Sequence, residues 1–235
     1  MNPEQEAALR ADGDRYFAVN HEGIGTIADP AFEQMEIIHR LSPVRSVLEI
    51  GASNGFRLEK ARRAFSAECM GLEPSNDAVT EGRELFQEIS LTVGMAPQDL
   101  TQFAGREFDV IVLGHFMYLL PRTELFTLAA QVDALLKDNG HLIISDFFYP
   151  APTRTSYTHN SALDVFKMDP SAPWLWSPTY SLVHRSVYPV SAYLTPSADP
   201  TDWQTVDVVR KLPVSTAYPS MPPQHDPVQG SAPSS

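Results

Sequence analysis

Between Ser46 and Gly55 an apolar run, Val47-Leu48-Glu49-Ile50, passes without a break into a turn bracketed by Gly51 and Gly55. A run this apolar suits a strand covered on both faces, as the strands of a parallel sheet are. Gly51 lets the backbone turn sharply and approach a ligand with no Cβ in the way. Gly55 permits tight packing where a helix begins, and the spacing of Leu58, Ala61 and Phe65 predicts that helix over 55–65, with Lys60, Arg62 and Arg63 on its other faces. Glu49 stands just before the turn, where a carboxylate can accept from a hydroxyl or hold a positive group. A phosphate-binding turn would want the opposite charge there.

The same rhythm continues downstream. Residues 69–74 read as a second strand ending in Glu73 and Pro74, a little beyond the offset at which doubly wound folds place a carboxylate on ribose hydroxyls. Pro74-Ser75-Asn76 caps a helix predicted over 77–89, with Val79, Leu85, Phe86 and Ile89 as its inner face. A third strand is expected at 89–94, a fourth at 108–115 and a fifth at 141–147. Between the last two, a helix is expected over 122–137, with Asn139-Gly140 as its left-handed stop. Strand and helix in alternation imply parallel pairing with right-handed crossovers, hence an α/β fold, a three-layer Rossmann-like sandwich. The alternating, β-branched segments 180–188 and 204–210 add an antiparallel edge pair, giving a mostly parallel seven-stranded sheet.

The turn discriminates among nucleotides. A nicotinamide or flavin fingerprint, G-x-G-x-x-G, would need glycine at 51, 53 and 56, but Ser53 and Phe56 occupy the last two positions. No G-K-[ST] follows either, which excludes the triphosphate loop. What remains, acidic-x-Gly-x-Ser-x-Gly, resembles the first motif of the class I S-adenosylmethionine-dependent methyltransferases, which commonly carry glycine where Ser53 stands. The resemblance covers 46–148 in order and spacing. It implies S-adenosyl-L-methionine as cofactor, held by Glu49, Gly51, Ser53, Asn54 and Gly55, by Glu73 and Pro74, by Met95, Ala96 and Asp99, and by Gly114 and His115. In that family the loop after the third strand borders the adenine, often with an acidic residue after the glycine. Here Met95 stands in that place, so it is expected on the adenine face, with Asp99 or the backbone meeting the exocyclic amine. Asp99 reads equally well as a helix cap. The family's amino-terminal helices commonly cover the cofactor, and Phe32, Met35, Ile38 and Leu41 predict an amphipathic helix that can lie over the cleft or cover the sheet edge.

The flanks must supply the acceptor site. Methyl transfer by in-line displacement depends mainly on holding the acceptor behind the activated methyl. A hydroxyl acceptor also needs a general base, for which His115 and His159 are the candidates, with Asp146 as a partner. His115 ends the fourth strand, at the edge where open α/β sheets bind ligands. Aromatics interleaved with polar residues through 147–176 suit a saccharide or other hydroxylated ligand, or else a loop stapled to the core. Tyr16, Asn20, Tyr118, Tyr149, Tyr157, His159 and Lys167 are the candidate substrate contacts. A looser resemblance links the segments around 113–119 and 157–167 to methyltransferases of bacterial surface-polysaccharide and sugar modification. Together these imply methyl transfer to a small-molecule or saccharide acceptor at a hydroxyl. The rival readings are a non-catalytic cofactor-binding interaction module and an NAD(P)-dependent oxidoreductase.

Composition sets the outer limits. The formal net charge of -12 argues against a nucleic-acid partner, whose phosphates are gripped by clustered Lys and Arg. The single cysteine, Cys69, falls in a predicted strand, so no disulfide framework is expected. His, Asp and Glu do not cluster at metal-ligand spacing, and no metal is expected. With no membrane-length apolar run and no signal-peptide pattern, a cytoplasmic enzyme is the expectation. The domain reading is a helical cap over 1–45 and a cofactor core over 46–148. A substrate-side insertion with the last two strands follows over 149–211, then a Pro- and Ser-rich disordered tail over 212–235.

Overall fold

The computed structural model describes residues 3–20, 28–157, 160, 163–190 and 199–220. Its strands are β1 (Ser46–Ile50), β2 (Glu68–Glu73), β3 (Ser90–Val93), β4 (Phe108–Gly114), β5 (Leu136–Phe147), β6 (Thr153–Ser156), β7 (Asp164–Lys167), β8 (Tyr180–Pro189) and β9 (Trp203–Lys211). Its helices are α1 (Pro3–Asn20), α2 (Pro30–Leu41), α3 (Phe56–Phe65), α4 (Asn76–Leu85), α5 (Leu125–Leu135), α6 (Ala172–Leu175) and α7 (Val214–Ala217).

Seven strands form one sheet in the order β3-β2-β1-β4-β5-β9-β8, while β6 and β7 pair separately. The first five run parallel, and β9 and β8 are antiparallel at the edge, as their alternating sequences predict. Every residue of β1 is buried, which its unbroken apolar run requires of a central strand covered on both faces. Side chains alternate between the faces. Leu48, Ile50, Ile111, Leu113, Leu142 and Ile144 pack with α5 and Trp174, while Val47, Val110, Val112, Ile143, Val206 and Val208 pack with α2 and α3. These are the outer and middle layers of the sandwich.

Four sequence expectations are corrected. Helix α4 ends at Leu85 rather than near 89, and its buried stripe of Ala78, Val79 and Gly82 leaves Leu85 59% exposed. Helix α2 packs on the sheet and on α3, with the Phe32 and Phe65 rings stacked at 5.8 Å, the second of its two expected placements, and its first residue, Pro30, lines the cleft; Leu41, expected on its apolar face, is instead 84% exposed. Helix α5 occupies only 125–135, and β5 begins at once. Asn139 does adopt a left-handed φ of 65°, but inside β5, where the register against β4 shifts between Phe108 and Val110. It bends a strand instead of stopping a helix. In the carboxyl-terminal segment, α7 forms one short turn, and 221–235 lie outside the described residues. No helix among the described residues is long and apolar enough to cross a membrane. Cys69 is buried, and burial pushes its thiol up to about 12.

Candidate cofactor and acceptor site

The site opens at the carboxyl ends of β1, β2 and β4, where the strand order reverses direction from β1. Its floor is backbone. Gly51 turns with φ 78°, and a Cβ there would stand 2.6 Å from the Gly114 carbonyl oxygen. A Cβ on Gly114 would in turn stand 2.7 Å from the Gly51 oxygen, so the two glycines let β1 and β4 meet beneath the cleft. Ser53 takes a left-handed φ of 50°, which aims its N–H at Glu73 Oε2, 2.8 Å away. Ser75 N–H donates to Glu73 Oε1 at 3.0 Å, so the Glu73 carboxylate is held in one orientation at the end of β2. Burial raises its pKa against the pull of those two amides. Asn54 ties the turn to α4 through Glu81 at 2.8 Å, and Gly55, left-handed at φ 79°, opens α3.

Glu49 is buried under the turn and pairs with Arg57, from the first turn of α3, which also bonds Asp29 at 2.9 Å. Burial pushes the Glu49 carboxyl up to about 7 despite the guanidinium beside it. Its second oxygen, Oε2, is buried with no hydrogen-bond partner among the described residues. On the next wall, Met95 and Ala96 line the cleft. Asp99 does not line it. Its carboxylate accepts from Met95 N–H at 2.8 Å and so closes the turn that precedes it; the cap position of the helical turn at 98–103 is Pro97, with no side-chain hydrogen bond, so Asp99 is not a helix cap.

The cavity encloses about 620 Å³ and continues past Gly114 to His115, Phe116 and Tyr118, with Ser145, Tyr188 and Gln204 opposite. His115 has a left-handed φ of 57°, with its N–H bonded to Ser145 O at 2.8 Å and its ring 4.8 Å from Phe147 and 5.2 Å from Tyr118. Burial, with Arg57 and Lys167 nearby, lowers its pKa to about 4, so the imidazole is neutral. The expected His115–Asp146 pairing does not form. Asp146 accepts instead from the N–H groups of Met117 at 2.7 Å and Phe147 at 2.6 Å, and holds the 117–119 turn in place. It does not line the main cavity, and burial pushes its carboxyl up to about 7.

Helix α1 forms the roof. Leu9, Asp12, Gly13, Tyr16, Phe17 and Val19 face the cavity from it. A Cβ on Gly13 would lie 3.3 Å from Pro74, Asp14 accepts from the Ser75 hydroxyl at 2.7 Å, and Arg10 reaches Asp99 at 3.5 Å.

Of the candidate substrate residues, Tyr16 and Tyr118 line the cavity, and Tyr157 stands behind Tyr118 with ring centroids 6.2 Å apart. Tyr149 and Lys167 do not line it; Lys167 bonds Thr201 O at 2.7 Å and lies over the Phe147 ring. His159 and the Asn20 side chain lie outside the described residues. Sequence reasoning did not single out Asp12, Asp29, Arg57, Tyr188 or Gln204. Only Asp29 left a signal, since Asp before Pro30 is a helix-cap pattern, and its carboxylate accepts from Phe32 N–H. No group of three or more metal-ligating side chains occurs among the described residues.

A doubly wound sheet with a glycine turn at its reversal point and a carboxylate ending the next strand defines a nucleoside-cofactor enzyme of the Rossmann-like kind. Residues 47–140 match the family described as methyltransferase domain. No curated protein sequence matches the chain. Among solved structures, it is similar to the 1,6-didemethyltoxoflavin-N1-methyltransferase of Burkholderia thailandensis, solved with bound 1,6-didemethyltoxoflavin and S-adenosylhomocysteine. There the identity is 16%, the TM-score 0.64, and 91% of this chain and 92% of that chain are covered. The N-methyltransferase NodS of Bradyrhizobium japonicum, solved with S-adenosylhomocysteine, is 17% identical at a TM-score of 0.56, covering 78% of this chain and 86% of that one. The glycopeptide N-methyltransferase MtfA is 16% identical at a TM-score of 0.56, covering 79% and 97%. At these identities the likeness is one of fold.

The residues present fit S-adenosylmethionine. The partnerless Glu49 Oε2 is an acceptor of the kind an amino-acid ammonium needs, and the fixed Glu73 carboxylate can accept from vicinal ribose hydroxyls.

Proposed function

We propose that this enzyme transfers the methyl group of S-adenosylmethionine to a small-molecule acceptor seated between α1, the 115–118 turn and the Tyr188–Gln204 wall. One observation carries the reading: a single cavity of about 620 Å³ has an acidic, glycine-floored end at Glu49 to Glu73 and an aromatic end at His115 and Tyr118. The first end suits the cofactor and the second a compact, flat acceptor.

Bound there, the cofactor supplies a sulfonium-activated methyl group. Glu49, with Arg57 and Asp29, would hold its amino-acid end, Glu73 its ribose, and Met95 and Ala96 its base. His115 and Tyr118 would set the acceptor's orientation, and α1 would exclude water from above. Proximity and alignment then provide most of the acceleration. The saccharide reading has less support, because Trp174 is a core side chain, Trp176 is 77% exposed, and Tyr149 and Lys167 do not line the cavity. A hydroxyl acceptor has less support too, because an imidazole with a pKa near 4 accepts hydrogen bonds but is a weak base.

Calorimetry with S-adenosylmethionine, followed by methyl-labelled transfer to a panel of small nucleophiles, tests the reading. Saturable binding and labelled product are expected. No binding would sink the enzyme assignment, whereas binding with no transfer to any acceptor would favour a cofactor-binding interaction module.

A further inference from the structure

A hydrogen-bonded line of three side chains leads from the aromatic end of the cavity into the roof. Tyr118 lines the cavity and is itself 6% exposed. Its hydroxyl donates to that of Tyr157, and the Tyr157 hydroxyl donates to the Asp12 carboxylate. Asp12 belongs to α1, is 7% exposed, and also lines the cavity. Leu9, Leu119, Leu163, Val165 and Phe147 pack around the two tyrosines, Tyr118 buried and Tyr157 half-buried. Because both hydroxyl protons point toward Asp12, the Tyr118 oxygen meets a ligand as an acceptor. A bound group there has to donate.

The charge of the wall points the same way. Of the carboxylates lining the cavity, Asp29 and Glu49 pair with Arg57 and Glu73 stands at the cofactor end, so the charge toward the acceptor end is that of Asp12, and Arg57 is the cation lining the cavity among the described residues. A nascent alkoxide or phenolate would be repelled in such a cavity, whereas a cation that donates hydrogen bonds is favoured.

We propose, on the basis of the methyltransferase reading, that the acceptor is an amine bound as its ammonium, and that Asp12, acting through Tyr157 and Tyr118, positions it and receives its proton. The ammonium passes a proton to the Tyr118 oxygen as the Tyr118 proton moves to Tyr157 and the Tyr157 proton moves to Asp12. The freed nitrogen lone pair then attacks the methyl carbon. The N–C bond forms as the C–S bond breaks, with its electron pair going to sulfur. The product leaves as the N-methylammonium, and Asp12 returns its proton to solvent. Tyr118 touches the acceptor, while Asp12 and Tyr157 are positioning residues.

Binding to the S-adenosylhomocysteine-loaded protein tests this without turnover. The probes are benzylamine against benzyl alcohol and phenethylamine against phenethyl alcohol, pairs of equal shape read by NMR titration. At least one amine is expected to bind about tenfold more tightly than its alcohol, a difference of about 1.4 kcal/mol. Asp12→Asn, which keeps the side-chain shape, and Tyr157→Phe, which keeps the Asp12 charge but cuts the line, should each abolish that preference while retaining S-adenosylhomocysteine binding. Three outcomes would overturn the proposal: alcohols bound as tightly as amines, a preference that survives either substitution, or no amine binding at millimolar concentration. Loss of S-adenosylhomocysteine binding by the unaltered protein would instead overturn the methyltransferase reading beneath it.

Discussion

Glu49 carries two demands at once: it neutralises Arg57 with one oxygen and leaves the other buried and unmatched. Its carboxyl is raised to about 7 by burial, so near neutral pH the free protein holds a proton there part of the time. An ammonium seated on Oε2 favours the ionised form, lowers that pKa and expels the proton. Cofactor affinity should therefore rise as pH increases through about 7, with proton release detectable by calorimetry in buffers of different ionisation enthalpy. Glu49→Gln should abolish the release. For stability the sign is opposite. A carboxyl whose folded pKa lies above its unfolded value stabilises the fold at low pH, and this contribution disappears as pH rises from about 4.5 to about 7. Asp146, raised in the same way, adds to that decline. Glu73→Ala should weaken cofactor binding by about 1 to 3 kcal/mol in titration calorimetry, the range for leaving buried polar partners unpaired. An unchanged affinity would remove its ribose role. Gly51 turns out to serve the fold before the ligand: Gly51→Ala places a Cβ against the Gly114 carbonyl in a left-handed turn, and should cost about 2 kcal/mol or more in chemical denaturation. Glu49, Gly51 and Glu73 were legible in the sequence because each role follows from its place on a strand end. Asp12, Asp29 and Arg57 were not, because their significance lies in partners brought together by the fold.

Among the elements, the strands were read most faithfully, since β1, β4, β8 and β9 carry their burial patterns in consecutive residues. Helix ends were read less well: β5 takes over where α5 was expected to continue, and an asparagine-glycine pair served a strand bend instead. That α1 and not α2 forms the roof has a clear reason. Helix α2 has an apolar stripe and therefore belongs on the sheet, whereas α1 has no comparable stripe, and its fastenings to 73–75 and 99 are polar or close-packed. Helix α1 is tied down further by Asp12, bonded to Tyr157, and by Leu9, packed beside Tyr118. Gly13→Val would push it from Pro74 and should speed S-adenosylhomocysteine release severalfold in stopped-flow, while moving the stability of the free protein by no more than about 1 kcal/mol. A loss of stability as large as that expected of Gly51→Ala would show that α1 is part of the folding core.

At the scale of the whole molecule, sheet order and cofactor choice stand or fall together, because one doubly wound architecture serves both nicotinamide and methyl-donor chemistry. The two are separated by a thermal shift. S-adenosylhomocysteine at one hundred times its Kd should stabilise the protein by about 2.7 kcal/mol, with no shift from NAD at the same concentration. Protection by NAD instead would reverse the assignment made from Ser53 and Phe56. The acceptor end was the least legible part, since the roof, the 115–118 turn and β8 and β9 each contribute to it from distant stretches of chain. That division has a bearing on how the enzyme can change. Beneath the cofactor, the floor at Gly51 and Gly114 is peptide backbone with no room for a side chain, so substitution there cannot vary the methyl donor without breaking the sheet. Variation in what is methylated therefore falls to side chains of α1, the 115–118 turn and the Tyr188–Gln204 wall, which a library could diversify while the donor chemistry stays constant.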